Sequence, residues 1–271
     1  MQVYGIIGDE RAYHAKSTLI FTTIFNQMGI KGAYVPFKVD PPNIGQAIQS
    51  LRYLNIAGAN VTAPYKEAVI PHLDILSEGA NIIGAINTIV RMGDKLKGYN
   101  TNAIGFMDAL SDVGFDAEDK SALVFGTGGV AKAVVFILNW LRTQTIFVAG
   151  RDEIEARKMV GHFGGEVLTF SEMEGRALPI QILINATSIS SREESPEFDT
   201  LVHSLNLPRC EMVMDLNYDR PHNFWQDMAD TRRIPFADGL KTLAYQARRT
   251  FTLWTGLQVS AEAFIAALGS A

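Results

Sequence analysis

A glycine-rich turn, preceded by a short apolar run and followed by an amphipathic stretch, constrains the fold of this chain more than any other feature. The turn, Gly126-Thr127-Gly128-Gly129-Val130-Ala131, fits the pattern G-x-G-x-x-A. In that pattern the first glycine makes the turn, the second lets the backbone approach a pyrophosphate, and the last small residue lets a helix pack on a strand. Free amide groups at the start of the helix then bind phosphate. We therefore predict a strand at 122–125, a helix from about 129 to 141, and a dinucleotide-binding turn between them rather than a purely structural one.

Strands and helices alternate along the rest of the chain as well. Apolar runs at 145–149, 182–185 and 212–216 predict further strands of a doubly wound parallel sheet. Before residue 103, short apolar runs and amphipathic stretches alternate in the same way, which favours a second open α/β sheet. Apolar residues at helical spacing from Leu240 to Trp254 predict a long amphipathic helix that ends at Gly256. The sequence thus predicts an α/β protein of two domains, since 271 residues exceed the usual size of one.

The composition is that of an ordinary soluble protein and argues against several classes of partner. Apolar residues make up 47% of the chain and charged residues 20%. A net charge of -5 gives no attraction for nucleic acid or an anionic membrane, and no apolar stretch reaches the roughly 18–20 residues of a membrane helix. Cys210 is the single cysteine, and the five histidines show no metal-ligand spacing. We expect a cytoplasmic monomer or homodimer without metal, nucleic acid or membrane as partner.

The residues after the second strand of the predicted parallel sheet bear on the choice of cofactor. An acidic residue about 20 positions after the turn would bind the ribose 2′-hydroxyl of NAD. Here the strand is followed by Arg151, which can pair with a 2′-phosphate, and Arg157 and Lys158 lie about two turns into the next helix. This pattern favours NADP over NAD. Asp152 would oppose a phosphate if its carboxylate faced inward, whereas as a helix N-cap it would face the backbone.

Seven segments of the chain carry further patterns in a fixed order: Gly58–Lys66 (GANVTAPYK), Gly84–Thr88 (GAINT), Asn100–Asn102 (NTN), the glycine turn, Asn185–Ser188 (NATS), Asp215–Tyr218 (DLNY) and Gly239–Gly256. In order and at nearly the same spacing, they resemble the motifs of the shikimate dehydrogenase family, and the resemblance covers essentially the whole chain. It implies an N-terminal α/β substrate domain (1–102), a Rossmann-type NADP-binding domain (103–238), and a C-terminal helix within 239–271 that returns to the first domain. The implied reaction is reversible hydride transfer between NADP and the hydroxyl or keto carbon of a small-molecule substrate, shikimate or a close analogue.

The resemblance also implies roles for single side chains of the substrate site. Lys66 corresponds to the family's catalytic lysine, whose ammonium group stabilises a developing alkoxide and supplies a proton. Burial would lower the pKa of this lysine toward the working range. Thr62, Asn87 and Gln246 correspond to residues that hydrogen-bond the ring hydroxyls of the substrate, with Tyr218 close to its carboxylate. Position alone, at the edge of an apolar helical stripe, instead favours a solvated flank for Gln246.

The cofactor site implied by the resemblance draws mainly on the second domain. Backbone amides and short polar side chains suit this task, because a dinucleotide needs close approach and hydrogen-bond donors for its phosphates. The implied residues are Gly126, Thr127, Gly128, Gly129 and Val130 in the glycine turn, Arg151 after the next strand, Thr187 and Ser188 with Asn185 along the sheet edge, and Leu216 and Gly239 with Glu78 near the nicotinamide.

One departure from the family pattern concerns the reaction itself. The family usually has Asn-Thr-Asp where this chain has Asn100-Thr101-Asn102, and the missing carboxylate normally pairs with the lysine and touches the reacting hydroxyl. Asn102 keeps the shape and can hydrogen-bond, yet it can neither carry a negative charge nor take a proton. We therefore predict impaired or altered chemistry, with ligand binding better preserved than turnover. The alternative is a catalytically weak paralogue, or a variant trapped by this substitution, that binds NADP and a shikimate-like ligand with little turnover.

The second departure lies in the segment expected to bind the carboxylate of the substrate. The family typically has His-Ser-x-Ser-Pro, and this chain has His14-Ala15-Lys16-Ser17-Thr18. Ser17 remains as one of two hydroxyls, while a methyl group at Ala15 replaces the other, a loss of about 0.5–1.5 kcal/mol. Lys16 would compensate if it turned inward. The pattern therefore leaves shikimate, quinate, an aminated shikimate and a ligand with a different acid group as candidate substrates.

Overall fold

Two six-stranded sheets organise the chain in the computed structural model, which describes residues 1–269. Its contacts divide the chain into two units. Unit 1 is Met1–Gly105 together with the chain from Leu243 onward, and unit 2 is Phe106–Thr242. These divisions lie a few residues from the predicted domain changes at 102 and 239.

Unit 1 alternates strands and helices up to a final hairpin. Its elements in chain order are β1 (Gln2–Gly8), α1 (Ser17–Gln27), β2 (Gly32–Lys38), α2 (Ile44–Tyr53), β3 (Gly58–Val61), β4 (Ile75–Leu76), α3 (Glu78–Ile83), β5 (Thr88–Met92), β6 (Lys95–Tyr99) and α4 (Thr101–Asp112), whose last part belongs to unit 2. The strand order is β2-β1-β3-β5-β6-β4, with β1 parallel to β2 and β3 and with β5 antiparallel to β3 and β6. Because β3 and β5 run in opposite directions, the end of β3 meets the start of β5, and the Val61 N–H donates to the Asn87 carbonyl oxygen at 2.9 Å. This pairing brings the GANVTAPYK and GAINT segments together.

Unit 2 is a doubly wound α/β domain. Its elements are β7 (Ser121–Phe125), α5 (Gly129–Trp140), β8 (Thr145–Ala149), α6 (Glu153–Phe163), β9 (Glu166–Val167), α7 (Phe170–Met173), β10 (Ile182–Asn185), α8 (Pro196–Ser204), β11 (Met212–Asp215), α9 (Phe224–Arg232) and β12 (Phe236–Ala237). The strands are parallel, in the order β12-β11-β10-β7-β8-β9. The order reverses at β7, so the loops after β7 and β10 diverge at the carboxyl edge of the sheet, where such sheets bind ligands. The predicted Rossmann-type domain is therefore confirmed.

The C-terminal segment supplies α10 (Gly239–Thr255) and α11 (Ala261–Leu268). In unit 1, the Trp254 ring stacks on Tyr4 of β1 with centroids 4.8 Å apart, and the indole nitrogen donates to the Ile89 carbonyl oxygen at 2.9 Å. No side chain fits at position 58, because a Cβ on Gly58 would lie 2.2 Å from the indole nitrogen. The predicted return of the C-terminal helix to the N-terminal domain is therefore confirmed.

Several predicted elements agree closely with the structure. The strand predicted at 122–125 is β7, and the helix predicted from about 129 to 141 is α5. The hairpin of β5 and β6 and the helices α8 and α9 were not anticipated. Among residues 1–269, no helix has both the length and the apolar character needed to cross a bilayer.

Candidate functional site

Buried polar side chains form a cluster in unit 1 where β5 and α4 begin. The side-chain nitrogen of Asn87 lies 2.8 Å from Gln246 Oε1, 2.8 Å from Thr101 Oγ1 and 3.0 Å from Asn102 Oδ1. The side-chain oxygen of Asn87 accepts from the Thr101 backbone N–H at 2.7 Å. Because an amide nitrogen carries two hydrogens, it serves at most two of these three acceptors at a time. The Thr101 hydroxyl can also donate to Gln246 Oε1 at 3.2 Å, so Asn102 Oδ1 is the acceptor of these three for which residues 1–269 offer no second donor.

Gln246 is buried at 8% exposure, so the solvated flank favoured by its position in α10 is wrong. Its side chain faces Asn87, which comes from a distant part of the sequence. Behind it, the hydroxyls of Thr88, Thr101 and Thr250 lie within 3.0–3.2 Å of one another. These threonines were not identified from the sequence, although Thr250 follows Gln246 by four residues and so lies on the same helix face.

Asn102 is the second residue of α4, and only one of the two polar atoms of its side-chain amide has a hydrogen-bond partner among residues 1–269. Its Oδ1 accepts from Asn87, whereas its Nδ2 is shielded from solvent and has no hydrogen-bond partner within residues 1–269. A buried donor without a partner costs about 1–3 kcal/mol. Asn102 thus presents an unused donor in place of the carboxylate oxygen that the resemblance leads one to expect.

Lys66 lies four residues beyond Thr62, in the segment that follows β3. The Thr62 N–H donates to the Ile7 carbonyl oxygen at 3.0 Å, and the Lys66 carbonyl oxygen accepts from the Ile86 N–H at 2.9 Å, so backbone bonds hold both ends of the segment. The Lys66 side chain is half-buried, and burial lowers its pKa to about 8. Its ammonium group makes no ion pair or hydrogen bond in the part of the chain that the structure describes. Among residues 1–269, no carboxylate offsets this effect of burial by favouring the charged form.

The start of α1 carries the residues expected to bind a carboxylate. Ser17 is the first residue of the helix and is buried, and no side chain caps the helix there. The Thr18 hydroxyl is shielded from solvent and lacks a hydrogen-bond partner among residues 1–269. Uncapped amides, the positive end of the helix and two hydroxyls suit an anion. The Lys16 backbone forms the N-cap of α1.

The glycine turn opens α5 in unit 2. Gly126 has a φ of 114°, and a Cβ on it would lie 2.9 Å from the Ala186 carbonyl oxygen, so only glycine fits. Gly128 caps α5 without any side-chain hydrogen bond, and a Cβ there would meet no atom within 4 Å. Open space in front of uncapped helix amides fits the pyrophosphate of a dinucleotide. The neighbouring predicted residues Thr127, Gly129 and Val130 are half-buried.

A buried carboxylate, Asp215 at the end of β11, ties together the loops that follow β10 and β11. It accepts hydrogen bonds from the side chains of Asn185 at 2.8 Å and Asn223 at 2.6 Å, and from the Asn217 N–H at 3.0 Å. Burial raises the pKa of this carboxyl group, while the hydrogen bonds lower it. Asn185 in turn accepts from the Thr187 hydroxyl at 2.7 Å, which fixes the start of the loop after β10. The ordering role of Asp215 was not identified from the sequence.

The remaining residues predicted to bind ligands lie in or beside these loops. The Leu216 N–H donates to the Asn185 carbonyl oxygen at 2.9 Å, and the Gly239 N–H donates to the Asn217 carbonyl oxygen at 2.9 Å. Ser188 is exposed and Tyr218 is half-buried. The structure therefore brings Thr187, Ser188, Leu216 and Gly239 to one edge of the sheet in unit 2, near the end of β10 and β11.

The segment after β8 contains the side chains that bear on cofactor choice. Asp152 is the N-cap of α6, and its Oδ1 accepts from the Ile154 N–H at 2.9 Å and the Glu155 N–H at 3.3 Å. Arg151 is exposed beside it. Nowhere in residues 1–269 do three or more His, Cys, Asp or Glu side chains come together to hold a metal ion.

These features define a dinucleotide-binding α/β protein with a second, polar site in its other domain. Comparison with known families specifies it further. The family described as "Shikimate dehydrogenase substrate binding domain" matches residues 6–89, and the family described as "Shikimate / quinate 5-dehydrogenase" matches residues 109–224. The chain belongs to the shikimate dehydrogenase family, whose members are oxidoreductases that act on a CH–OH group.

Individual relatives match over nearly the full length. The chain is 35% identical over 264 residues to the shikimate dehydrogenase (NADP(+)) of Caldanaerobacter subterraneus subsp. tengcongensis, a match that covers 94% of this chain and 92% of the relative. It is 36% identical over 260 residues to the enzyme of the same name from Pyrococcus furiosus, with coverages of 94% and 90%. The crystal structure of shikimate dehydrogenase from Aquifex aeolicus superposes with a TM-score of 0.89 at 29% identity, covering 98% and 97%. The enzyme from Thermus thermophilus, solved in complex with NADP(H) and shikimate, superposes with a TM-score of 0.86 at 27% identity, covering 99% of both chains.

Proposed function

We propose that this chain interconverts 3-dehydroshikimate and shikimate, or a close analogue, with NADP as cofactor, and that Asn102 alters its proton transfer. The observation that carries the proposal is the buried cluster in which Asn87 faces Gln246 and Asn102, together with a lysine at position 66 whose pKa is lowered to about 8. The names of the relatives support the substrate and the cofactor. So does the complex of the Thermus thermophilus enzyme with both ligands.

Amides and hydroxyls of unit 1 would hold the ring of the substrate. A ring hydroxyl both donates and accepts hydrogen bonds. It can therefore donate to the acceptor, among Thr101 Oγ1, Asn102 Oδ1 and Gln246 Oε1, that receives no hydrogen from Asn87. Thr62 and Gln246 would fix further hydroxyls. Ser17 and the uncapped amides at the start of α1 would bind the carboxylate.

Lys66 would supply the proton that the carbonyl oxygen takes up on reduction. With a pKa of about 8, most molecules carry the ammonium form at pH 7, and this ammonium is a stronger acid than that of an ordinary lysine. In the oxidative direction the neutral amine would accept the proton of the hydroxyl. This form becomes the major one above pH 8, so oxidation would gain from a rise in pH.

Asn102 would contribute a hydrogen bond but no charge. Its unpaired Nδ2 can donate to a carbonyl oxygen, which only accepts, whereas it cannot take a proton from a hydroxyl. The keto ligand would therefore be bound more tightly, relative to the hydroxy ligand, than with an aspartate at this position. Both directions of the reaction would lose rate, because the lysine lacks a carboxylate that orients it and balances its charge.

Residues of unit 2 would hold the dinucleotide, which when bound supplies or accepts the hydride. The uncapped amides of α5 would bind the pyrophosphate, since Gly128 leaves open space in front of them. The other residues proposed to hold the cofactor are Gly126, Thr127, Gly129 and Val130 in the glycine turn, Arg151 at a 2′-phosphate, Thr187 and Ser188 along the sheet edge, and Leu216 and Gly239 near the nicotinamide.

The test is turnover measured as the change in absorbance at 340 nm. Purified protein is assayed with 3-dehydroshikimate and NADPH, and with shikimate or quinate and NADP. Slow but measurable turnover is expected. The Asn102→Asp variant should gain about 10- to 1000-fold in kcat with a change of less than about threefold in KM. Turnover absent with every shikimate-like substrate and either cofactor would overturn the proposal.

A matched control separates the effect of position 102 from that of an added charge. Asn81 is exposed in α3, so Asn81→Asp makes the same chemical change away from the cluster and should leave kcat unchanged. The unpaired Nδ2 of Asn102 also fits a second candidate, a protein that binds both ligands with little turnover. Tight ligand binding without any gain in the Asn102→Asp variant would favour that candidate.

A further inference from the structure

The nine residues that follow β8 (150–158) carry equal numbers of basic and acidic side chains, namely Arg151, Arg157 and Lys158 against Asp152, Glu153 and Glu155. Arg157 pairs with Glu153 at 3.5 Å, and Lys158 pairs with Glu155 at 2.6 Å, both along the exposed surface of α6. The second pair raises the pKa of Lys158. Two of the three basic side chains that favour NADP in the sequence are thus engaged by acids on their own helix. Arg151 is the one without an acidic partner in the part of the chain that the structure describes.

The start of α6 is already occupied by a carboxylate. Asp152 uses Oδ1 to accept from the Ile154 and Glu155 N–H groups, so these two amides are not available to a phosphate. Its Oδ2 makes no hydrogen bond within residues 1–269, and the side chain is exposed. The cap therefore satisfies the helix while one carboxylate oxygen and the full negative charge remain directed to solvent, one residue after Arg151.

We infer that Asp152 makes this chain accept NAD as a second cofactor with little discrimination against it. The inference rests on the proposed function, since it concerns the adenosine end of the same cofactor site. An acidic side chain after this strand can accept a hydrogen bond from the ribose 2′-hydroxyl, as in NAD-binding domains. A 2′-phosphate instead brings about −1.5 to −2 charges at neutral pH. Arg151 attracts that phosphate and Asp152 repels it, and because both side chains are exposed neighbours the two effects largely cancel.

Binding of adenosine fragments tests this inference without requiring turnover. ADP-ribose and 2′-phospho-ADP-ribose are titrated into the wild-type protein by calorimetry, and the expected dissociation constants lie within about tenfold of each other. Asp152→Ser keeps an N-cap oxygen and removes the charge. It should tighten the phosphorylated fragment by about tenfold and weaken ADP-ribose by about threefold or more. Arg151→Gln should weaken the phosphorylated fragment about tenfold and leave ADP-ribose unchanged.

Asp116→Ser is the matched control. Asp116 is also exposed in unit 2 and accepts from a backbone N–H two residues on, that of Glu118 at 3.1 Å, yet it lies outside the segment after β8. It should change neither dissociation constant. The inference is overturned if the wild-type protein binds the phosphorylated fragment more than about 100-fold more tightly, or if Asp152→Ser leaves the ratio unchanged while the variant melts like the wild type. Failure of both fragments to bind would overturn the cofactor part of the proposed function as well, whereas binding without turnover at 340 nm would leave this inference standing.

Discussion

The side-chain nitrogen of Asn87 lies 2.8 Å from Oε1 of Gln246, although 159 positions separate the two residues. Asn87 immediately precedes β5, and Gln246 lies in the middle of α10. The pair therefore forms only when α10 has packed against the N-terminal part of unit 1. Asn87 has two further acceptors within reach, Thr101 and Asn102. Loss of the Gln246 oxygen therefore leaves Asn87 satisfied, and its effect should fall on the ligand more than on the fold.

Gln246→Met tests this division of roles. Methionine has a similar length without the amide, so the free energy of unfolding should fall by no more than about 1 kcal/mol. The KM for the hydroxylated substrate should rise about tenfold or more, because one of its polar partners is lost. Chemical denaturation and initial rates measure the two quantities. Gln226→Met, at an exposed position of α9, is the control and should alter neither. A drop in stability of about 3 kcal/mol with an unchanged KM would contradict the prediction.

Lys66 should set the pH dependence of ketone reduction. Its pKa is lowered to about 8, so kcat/KM for reduction should be level below pH 8 and fall above it as the ammonium loses its proton. A carboxylate at position 102 favours the charged lysine, so the fall should move to higher pH in Asn102→Asp. The measurement is the pH profile of kcat/KM for wild type and variant, with Asn81→Asp as control. Identical midpoints in wild type and Asn102→Asp would show that the two positions do not interact.

Lys66→Met should abolish turnover without weakening the fold. Because the pKa of Lys66 is about 8 in the folded chain and 10.5 in the reference state, burial disfavours the charged form, and its contribution to stability improves as pH rises from 8 to 10.5. At pH 7 methionine removes that disfavoured charge, so thermal melting should stay the same or rise. The rate should fall by at least about 100-fold. Lys31→Met, at an exposed position, should change neither. A clearly lower melting temperature would show that Lys66 has a structural role instead.

Asp215→Asn should lower the free energy of unfolding of unit 2 more than a substitution at an exposed position does. The new amide would direct hydrogens toward the side-chain nitrogens of Asn185 or Asn223, which now donate to the carboxylate. Unpaired buried donors of this kind cost about 2–4 kcal/mol in total, measured by chemical denaturation. Asp230→Asn, exposed near the end of α9, should stay within about 0.5 kcal/mol of the wild type. Equal effects of the two variants would rule out the ordering role assigned to Asp215.

Thr18→Val should be neutral or stabilising. The buried Thr18 hydroxyl has no partner among residues 1–269, and valine fills nearly the same space without a polar atom. Replacing such a group should raise the free energy of unfolding by up to about 1 kcal/mol. A rise in the substrate KM would show in addition that the hydroxyl serves the bound carboxylate. Thr22→Val, exposed in α1, is the control. A loss of more than about 1 kcal/mol in Thr18→Val alone would mean that the hydroxyl is satisfied in the folded protein.

The sequence predicted the doubly wound domain well because its signals are local. The glycine turn lies between a purely apolar strand and a helix of regular spacing, and each can be identified within a dozen residues. The ion pairs of α6 can also be predicted from the sequence, since Glu153 precedes Arg157 by four residues and Glu155 precedes Lys158 by three. Because these acids engage the two bases, the segment favours NADP less strongly than its basic residues alone indicate.

The polar cluster of unit 1 was harder to predict because its members meet only through the fold. Asn87 was assigned to the substrate site by resemblance, yet nothing local indicates that it faces both Thr101 and Gln246. A glutamine at the edge of an apolar stripe has the same sequence signature whether it faces water or a distant amide. Similarly, no pattern shows that Asp215 is buried among amides. Tertiary contacts determined these outcomes.

The stacking of Trp254 on Tyr4 has a consequence for the order in which the chain folds during its synthesis. Unit 2 is one continuous stretch, Phe106–Thr242, and its residues have all been synthesised before the tryptophan is added. Unit 1 starts earlier in the sequence, yet its aromatic core around Tyr4 lacks Trp254 until every residue of unit 2 has been synthesised. The apolar face of unit 1 therefore stays exposed during the synthesis of unit 2, which can fold before unit 1 is complete. A chain that ends before residue 254 would contain every residue of the second domain, whereas its N-terminal half would lack the ring that covers Tyr4.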